Sequence, residues 1–157
     1  MVRCKSSSRF FSIKNAVILT QTDTTVGFLS QDAKKLFEIK SRDTLKPFIK
    51  VYKDFKTLLK HKNRIPQHQK NLVRRSKKTT FIVDNKAFRV TKNTLNSKLL
   101  ENLTWYYSTS ANESGKNFNR KFCEEKADII VEDITLLNEY SSSSLIKINN
   151  CKKRKLR

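Results

Sequence analysis

The sequence predicts a single domain of the α/β or α+β class, with a mixed β-sheet and flanking helices. The chain has 157 residues, the size of one ordinary domain, and 37% of them are apolar, which is enough for a hydrophobic core. Short β-prone runs alternate with amphipathic stretches along the sequence. We find no internal repeat with a period of roughly 20 to 50 residues, so a solenoid or a propeller is not predicted.

The first predicted elements are a strand, a loop and a helix. Residues 16–20 form a short β-prone run that ends in a polar cluster at residues 21–25. Ser30 is the predicted cap of the helix that follows. The apolar face of this helix consists of Ala33, Leu36, Phe37 and Ile39.

A polar turn at residues 40–46 leads to the next strand, predicted at residues 47–52. Asp54 is the predicted cap of a second helix. The apolar residues of that helix are Phe55, Leu58 and Leu59. Pro66 suits the first turn of a third helix that extends to about residue 75.

A hairpin is predicted in the middle of the chain. Residues 79–83 and 87–90 are β-rich runs, and Asp84 and Asn85 between them are typical turn residues. A helix is expected near residues 96–103, followed by an aromatic strand at residues 105–107.

The last part of the chain continues the alternation. Asn119 is the predicted cap of a helix through residue 126, and residues 128–131 form a strand of buried type. Residues 145–148 are the predicted final strand. We therefore place the domain at residues 1–150 and expect residues 151–157, which include five basic residues, to be a mobile basic tail.

The charge balance predicts an anionic partner. The chain has 34 Lys and Arg against 14 Asp and Glu, a formal net charge of +20. Nucleic acid, an acidic membrane surface and a small polyphosphate all fit such a charge. Some of this positive charge would belong to a binding site. The remaining excess is explained equally well by a lysine-rich composition of the kind that an AT-rich genome produces.

The cysteines and the hydropathy favour a cytoplasmic protein. Cys4, Cys123 and Cys151 are an odd set without a CxxC spacing, so neither a disulfide framework nor a zinc site is predicted. The longest apolar stretch, residues 16–19, is far shorter than the roughly 20 residues of a membrane helix. We expect no membrane association.

Common catalytic motifs are absent from the sequence. His61 and His68 lie in a basic region without a carboxylate pattern, and the two glycines, Gly27 and Gly115, are too few for a glycine-rich phosphate loop. Phosphate binding would therefore use side chains and scattered backbone amides. No metal site is predicted.

Two short segments are candidates for anion binding. Lys40, Arg42 and Lys46 occupy one turn, where three cations can converge on an anion, although a solvated loop is the simpler interpretation of this segment alone. The segment 108–112 follows the aromatic strand and contains four small polar side chains, which predicts a loop at the end of a strand that offers hydroxyls and amides. A plain turn is the alternative there.

Several motifs occur in the order found in one known family. They are Gln21-Thr-Asp-Thr-Thr-Val-Gly27, Phe37-Glu-Ile-Lys-Ser-Arg42 with Lys46-Pro47, Thr79-Thr-Phe81, Phe88-Arg-Val90, and Ser108-Thr-Ser-Ala-Asn-Glu-Ser-Gly115. Together they resemble the YrdC-like family, which includes the threonylcarbamoyl-adenylate synthases and the YciO proteins. The resemblance extends from about Leu19 to Ile148.

The sequence departs from the family pattern at three places. Gln21 and Val26 replace a proline and a tyrosine of the first motif, and a Trp-Pro-Gly-Pro segment expected before Thr79 is absent. The family's late Pro-Ser-Thr segment is similar only to Ser142-Ser-Ser144.

The resemblance implies a twisted mixed sheet with a concave basic face. It also implies an enzyme that condenses L-threonine, bicarbonate and ATP to threonylcarbamoyl-adenylate and pyrophosphate, with Mg²⁺ on the phosphates, for a modified adenosine of tRNA. The implied partners are tRNA or the proteins of that modification pathway.

The resemblance also implies roles for individual residues. Lys40 and Arg42 would be catalytic, and the ATP site would consist of Lys40, Arg42, Lys46, Ser110 and Asn112. The amino acid would be held by Thr22, Arg89, Ser108 and Ser143. The alternative from another class is a non-enzymatic RNA-binding module in which Trp105, Tyr106 or Tyr107 stacks on bases.

Overall fold

A computed structural model describes residues 2–4, 13–41, 47–61, 63–91, 103–113, 116–132, 137–138 and 140–157. Ten strands and four α-helices lie in this part of the chain. The strands are β1 (Val2–Cys4), β2 (Ile18–Gln21), β3 (Val26–Ser30), β4 (Ile49–Tyr52), β5 (Thr79–Val83), β6 (Lys86–Val90), β7 (Trp105–Ser110), β8 (Ile129–Val131), β9 (Ser144–Ile148) and β10 (Lys153–Lys155). The helices are α1 (Ala33–Lys40), α2 (Phe55–Lys60), α3 (Lys70–Arg75) and α4 (Arg120–Lys126).

All ten strands belong to one mixed sheet, in the order β1-β8-β2-β3-β7-β4-β6-β5-β9-β10. The pairs β2 with β8, β4 with β6, and β5 with β9 are parallel, and the other neighbours are antiparallel. The predicted class, a mixed sheet with flanking helices, is confirmed.

The first predicted strand, β2, forms a hairpin with a second strand that the sequence did not predict. β2 pairs with β3, and the polar residues between them form the tight connection. All five residues of β3 are buried, so this strand lacks the alternation of polar and apolar residues that marks a half-exposed strand.

Helix α1 begins two residues later than predicted. Its N-cap is Asp32, whose carboxylate accepts from the Lys34 amide at 2.9 Å. Ser30, the predicted cap, is the last residue of β3, and its hydroxyl accepts from the Asp32 amide at 3.0 Å. Ser41 ends the helix in the left-handed region, at φ 45°.

Helix α2 begins where the sequence predicts. Asp54 caps it by accepting from the Thr57 amide at 2.6 Å. Phe55 and Leu58 are buried as predicted, but Leu59 is 40% exposed, because it lies on the outer side of a helix of six residues. Pro66 precedes a 3-10 turn at Gln67–Gln69 that continues into α3.

The predicted hairpin of β5 and β6 is confirmed. Asp84 and Asn85 have φ angles of 47° and 60°, the conformation of a type I′ turn. Lys86, where glycine would be the usual third residue, is already part of β6.

Strand β7 is longer than the aromatic run that predicted it. It extends from Trp105 to Ser110, so the first three residues of the predicted polar loop are strand residues and only Ala111 and Asn112 follow it. The helix expected near residue 96 lies outside the described residues, except Leu103, which is buried and not helical. Asn119 caps α4 as predicted, accepting from the Phe122 amide at 3.0 Å.

The expected mobile tail is instead a strand. β10 pairs antiparallel with β9, and Asn149 shapes the turn between them by accepting from the amides of Cys151 and Lys152. β9 is therefore not the last strand. A run of charged residues gives no apolar alternation, so the sequence pattern could not reveal a strand held only by backbone pairing.

The core consists of three apolar clusters. One lies between α1, α4 and strands β2 and β3, a second lies between α2, α3 and strands β4 to β6, and the third covers the opposite face of the central strands. In the described part of the chain, no helix has the length and hydropathy needed to span a membrane.

Candidate functional site

The end of β7 is fixed by a buried lysine. Lys40, the last residue of α1, is 4% exposed. Its Nζ donates to the Ser110 carbonyl at 3.0 Å, to the Asn112 carbonyl at 2.5 Å and to the Asn112 Oδ1 at 2.6 Å. A buried ammonium is tolerated only when its donors find acceptors, and these three oxygens supply them. The helix and the polar segment after β7 are thereby joined.

Both the oxygen and the nitrogen of the Asn112 side-chain amide form hydrogen bonds. Besides the bond from Lys40, its Oδ1 accepts from the Ser110 hydroxyl at 2.7 Å. Its Nδ2 donates to the Lys116 carbonyl at 2.5 Å. The side chain therefore has one defined orientation, as a residue that positions a ligand requires.

The connection between β2 and β3 forms a second rigid part of the site. The Thr22 hydroxyl donates to the Thr25 carbonyl at 2.6 Å and accepts from the amides of Thr24 and Thr25 at 3.3 and 3.2 Å. These bonds form a serine/threonine turn. Gly27 leaves room for it, since a Cβ atom there would lie 2.9 Å from the Thr22 Cγ2 and 3.2 Å from the Thr109 carbonyl.

Arg89, on β6, connects three parts of the site. It is 7% exposed and forms an ion pair with Asp23, with Nη1 2.6 Å from Oδ1. The same nitrogen donates to the Thr24 hydroxyl at 3.2 Å, and Nε and Nη2 donate to the Thr80 hydroxyl at 3.2 and 3.0 Å. Most of its five N–H donors are thus used to hold the protein together.

The hydroxyl network continues from Thr80 to the segment before β9. The Thr80 and Ser143 hydroxyls are 3.1 Å apart, and both residues are buried. The Ser143 carbonyl accepts from the Nε of Arg157 at 3.2 Å. Strand β10 thereby brings an arginine to this network.

These parts surround a cleft of about 530 Å³. Its walls come from the β2–β3 connection, strands β3, β4, β6 and β7, and the segment before β9. The lining residues are Thr22, Thr24, Thr25, Gly27, Pro47, Phe48, Ile49, Val51, Arg89, Ser108, Thr109, Ser110, Tyr140, Ser142, Ser143 and Arg157. Hydroxyls and two arginines predominate among the polar lining, which suits the binding of an anionic ligand and not acid–base chemistry.

A small inner cavity of about 10 Å³ adjoins the cleft. Four of its lining residues also line the cleft, namely Thr22, Val51, Arg89 and Ser108. The other three are Asp23, Thr91 and Tyr106. Burial raises the pKa of the Tyr106 phenol, and the charge of Asp23 raises it further, while Arg89 opposes the shift. Tyr106 is therefore a neutral donor at the bottom of the site, beside a space about the size of one water molecule.

The structure places most of the predicted residues together. Thr22, Arg89, Ser108, Ser110 and Ser143 line the cleft. Lys40 and Asn112 fix the strand end that forms one of its walls. Arg42 and Lys46 lie outside the described residues.

Other residues of the site were not predicted. Asp23 and Thr24 belong to the Thr-Asp-Thr motif, and Thr80 belongs to the Thr-Thr-Phe motif, so the motifs were noticed but only Thr22 was given a role. Arg157 was assigned to the tail. Its presence in the cleft depends on the β9–β10 pairing, for which the sequence carries no signal.

Comparison with known families identifies one match. The family model Sua5_yciO_yrdC, described as "Telomere recombination", matches residues 13–157 of the chain. No curated protein sequence matches the chain.

Solved structures with the same fold include three informative ones. P. abyssi Sua5 complexed with L-threonine has 21% sequence identity and a TM-score of 0.74, and a variant of the same protein has 22% and 0.75. Each match covers 90% of this chain, which spans about half of the Sua5 chains (50% of the threonine complex and 49% of the variant). E. coli YciO has 17% identity and a TM-score of 0.70, with 92% of this chain and 83% of that chain covered.

Proposed function

The chain belongs to the Sua5, YciO and YrdC family, and from this premise we propose that it is an L-threonylcarbamoyladenylate synthase-like enzyme. It condenses L-threonine, bicarbonate and ATP to threonylcarbamoyl-adenylate and pyrophosphate. The observation that supports this proposal best is the cleft in which Thr22, Arg89 and Ser108 meet beside the Lys40–Asn112 bond. The residues that line this cleft come from six separated segments of the chain.

The amino acid occupies the inner part of the cleft. Ser108 and Ser143 provide hydroxyls, Thr22 fixes the β2–β3 connection that borders this part, and Arg89 provides positive charge. Since most of the Arg89 donors are already bonded within the protein, we assign it to electrostatic attraction of a carboxylate and to fixing the β2–β3 connection. The complex of P. abyssi Sua5 with L-threonine supports an amino acid as ligand.

The ATP phosphates occupy the outer part. Ser110 and Asn112 position them, and Arg157 is a cation in the described lining of the cleft. The resemblance adds Arg42 and Lys46 as phosphate ligands. Because three acceptors within the protein already surround the Nζ of Lys40, its contribution is to hold the strand end and to supply charge at short range.

Mg²⁺ is expected to arrive with the nucleotide. Among the described residues, no group of three His, Cys, Asp or Glu side chains is placed to hold a metal ion. Mg²⁺ is commonly bound through substrate phosphates and waters with few protein ligands, which fits this donor set. Bound there, it would neutralise phosphate charge.

The reaction requires positioning more than a protein nucleophile. The threonine amine and bicarbonate give a carbamate with loss of water, and a carbamate oxygen then attacks the α-phosphorus while pyrophosphate leaves. Aligned reactants and cations near the developing charge lower such a barrier. The cleft provides hydroxyls, an amide and arginines, the groups suited to that task.

The product is an intermediate for a modified adenosine in tRNA. We therefore propose tRNA or the proteins of that modification pathway as partners, and the cytoplasm as the location. These proposals depend on the synthase activity.

The experiment is an assay of pyrophosphate release with ATP, Mg²⁺, bicarbonate and L-threonine. We expect release only when threonine is present, and we expect Arg42→Ala to abolish it. Arg64→Ala, which changes an exposed arginine away from the cleft lining, is the matched control and should retain activity. Release without threonine, or release unaffected by Arg42→Ala, would contradict the proposal.

A non-enzymatic RNA-binding module is the second candidate, favoured by the net charge of +20. Tyr106 is 3% exposed and cannot stack on a base, which restricts the stacking role to Trp105 and Tyr107 on the other face of the sheet. RNA affinity that falls steeply with salt and is undisturbed by ATP would favour this module. Competition by ATP would favour the enzyme.

A further inference from the structure

Tyr106 is a buried residue whose hydroxyl has no hydrogen-bond partner within the described chain. It lies in β7, is 3% exposed, and packs in the apolar cluster that includes Leu29 and Val51. No hydrogen bond joins its hydroxyl to another residue in the part of the chain that the structure describes. A buried hydroxyl without a partner is unfavourable, so proteins seldom retain one unless a ligand or a water supplies the missing bond.

The hydroxyl end of Tyr106 lies at the inner cavity of about 10 Å³. Asp23 and Arg89, the two charged groups that act on the phenol, both line this cavity. Their ion pair uses Oδ1 of Asp23, and no bond to Oδ2 occurs among the described residues. Ser108 also lines the cavity, and its hydroxyl likewise bonds to no described residue. Two hydroxyls and a carboxylate oxygen thus adjoin a space for about one water-sized group.

A single uncharged hydroxyl fits this cavity better than either charged group of an amino acid. A carboxylate has two oxygens, and Asp23 would repel it. Asp23 would attract an ammonium group and keep it protonated, whereas the amine must be neutral to react with bicarbonate. A hydroxyl can accept a hydrogen bond from Tyr106 and at the same time donate one to Asp23.

We propose that Tyr106 is a specificity-determining residue that binds the side-chain hydroxyl of the amino acid. The inference rests on the proposed function, because it concerns a ligand of the same cleft. Arg89 and Ser108 line both the cleft and the inner cavity, so the side chain of an amino acid in the cleft extends into the cavity. Val51 also lines both spaces and provides an apolar contact for the methyl group of threonine.

Binding of a hydroxyl at Tyr106 predicts a preference for β-hydroxy amino acids. L-valine has the shape of L-threonine with a methyl group in place of the hydroxyl, and it would leave the groups of the cavity without a partner. A site of this kind rejects an analogue that lacks the hydroxyl more strongly than one that lacks a methyl group. L-serine, which keeps the hydroxyl, should therefore bind more tightly than L-valine.

The test measures the binding of L-threonine, L-serine and L-valine to the full chain by isothermal titration calorimetry without ATP. We expect L-threonine to bind at least about thirtyfold more tightly than L-valine. Tyr106→Phe removes only the hydroxyl and should reduce this ratio about tenfold by weakening the binding of L-threonine, with L-valine affinity unchanged within about twofold. Tyr107→Phe, on the opposite face of the same strand, is the matched control and should leave the ratio unchanged.

Thermal unfolding separates ligand recognition from folding. Because the Tyr106 hydroxyl has no partner in the described chain, Tyr106→Phe should leave the unfolding midpoint unchanged or raise it. A lowered midpoint would show that the hydroxyl stabilises the fold, and it would overturn the inference. Threonine binding with the same threonine-to-valine ratio in Tyr106→Phe would overturn the inference alone. Binding of none of the three amino acids would overturn the proposed function and the inference with it.

Discussion

The Nζ atom of Lys40 lies 2.6 Å from the Oδ1 atom of Asn112. The two residues are 72 positions apart in the sequence, and they belong to the two segments that carry the strongest candidate motifs. Lys40 ends α1 and Asn112 follows β7, so this bond fixes a helix end against a strand end. The polar segment is held in place before any ligand binds, and pre-positioned groups lower the cost of binding.

Replacing Lys40 with methionine should destabilise the protein. Lys40→Met leaves the carbonyls of Ser110 and Asn112 and the Asn112 Oδ1 without their shared donor, and the expected loss is about 2–4 kcal/mol in the free energy of unfolding. Urea unfolding measures it. Lys34→Met, on the exposed side of the same helix, is the control and should change stability by less than about 0.5 kcal/mol. Equal effects would show that Lys40 is not a structural link.

Removing the carboxylate of Asp23 should also be costly. Asp23→Asn leaves Arg89 with an uncompensated charge in a site where the two side chains are 16% and 9% exposed. We expect a loss of about 3 kcal/mol in unfolding free energy. Glu113→Gln breaks an exposed pair with Lys116 and should cost less than about 1 kcal/mol. A double-mutant cycle of Asp23→Asn with Arg89→Met measures the coupling, and additivity would contradict the ion pair.

Arg157 should contribute to nucleotide binding although the sequence suggested a tail. Arg157→Gln removes a cation from the cleft lining. We expect the dissociation constant for ATP to rise about tenfold, because the variant loses one charge-assisted hydrogen bond at a partly exposed position. Isothermal titration calorimetry measures it. Arg154→Gln, on β10 three residues before Arg157 but not in the lining, should leave ATP affinity unchanged. Identical ATP affinities for the two variants would contradict a role of Arg157 in nucleotide binding.

The single tryptophan provides a pH-dependent signal. The ring of His61 lies 5.9 Å from that of Trp105. Partial burial lowers the pKa of His61, and the charge of Lys50 lowers it further. Since a protonated imidazole quenches indole fluorescence, emission should fall as pH decreases, with a midpoint below about 6.5. His61→Gln should abolish the transition, and a midpoint above that value would contradict the geometry.

The lowered pKa of His61 also determines how the stability of the fold changes with pH. A lowered pKa means that the unfolded chain binds the proton more readily than the folded one. Folding is therefore slightly disfavoured as the pH falls below the unfolded value, and His61→Gln should remove this dependence. The imidazole is largely exposed, so the effect is small.

The parts of the fold predicted from the sequence are those with a local chemical signal. Asp54 and Asn119 cap helices because their side chains compete for the first free amides, and Asp84-Asn85 turns the chain because both residues tolerate a positive φ. Strand β3 was missed because all its residues are buried, and β10 because none is.

The site, like the fold, was predicted only where the sequence carries a local signal. Thr22, Arg89 and Ser108 were found through motif resemblance, whereas their common cleft depends on strand order. β7 pairs with both β3 and β4, and β4 pairs with β6, so these residues become neighbours only when long-range pairing forms. Arg157, which follows β10, reaches the cleft for the same reason, and a single sequence does not encode such pairings in a local pattern.

The central claim is that the cleft joins threonine, bicarbonate and ATP, and product analysis by mass spectrometry tests it most directly. The protein is incubated with L-threonine, ATP, Mg²⁺ and bicarbonate labelled with carbon-13. We predict a threonylcarbamoyl-adenylate whose mass shifts with the bicarbonate label, and its absence with Arg42→Ala. Formation of AMP or ADP alone, with no labelled adenylate from the wild-type protein, would contradict the account.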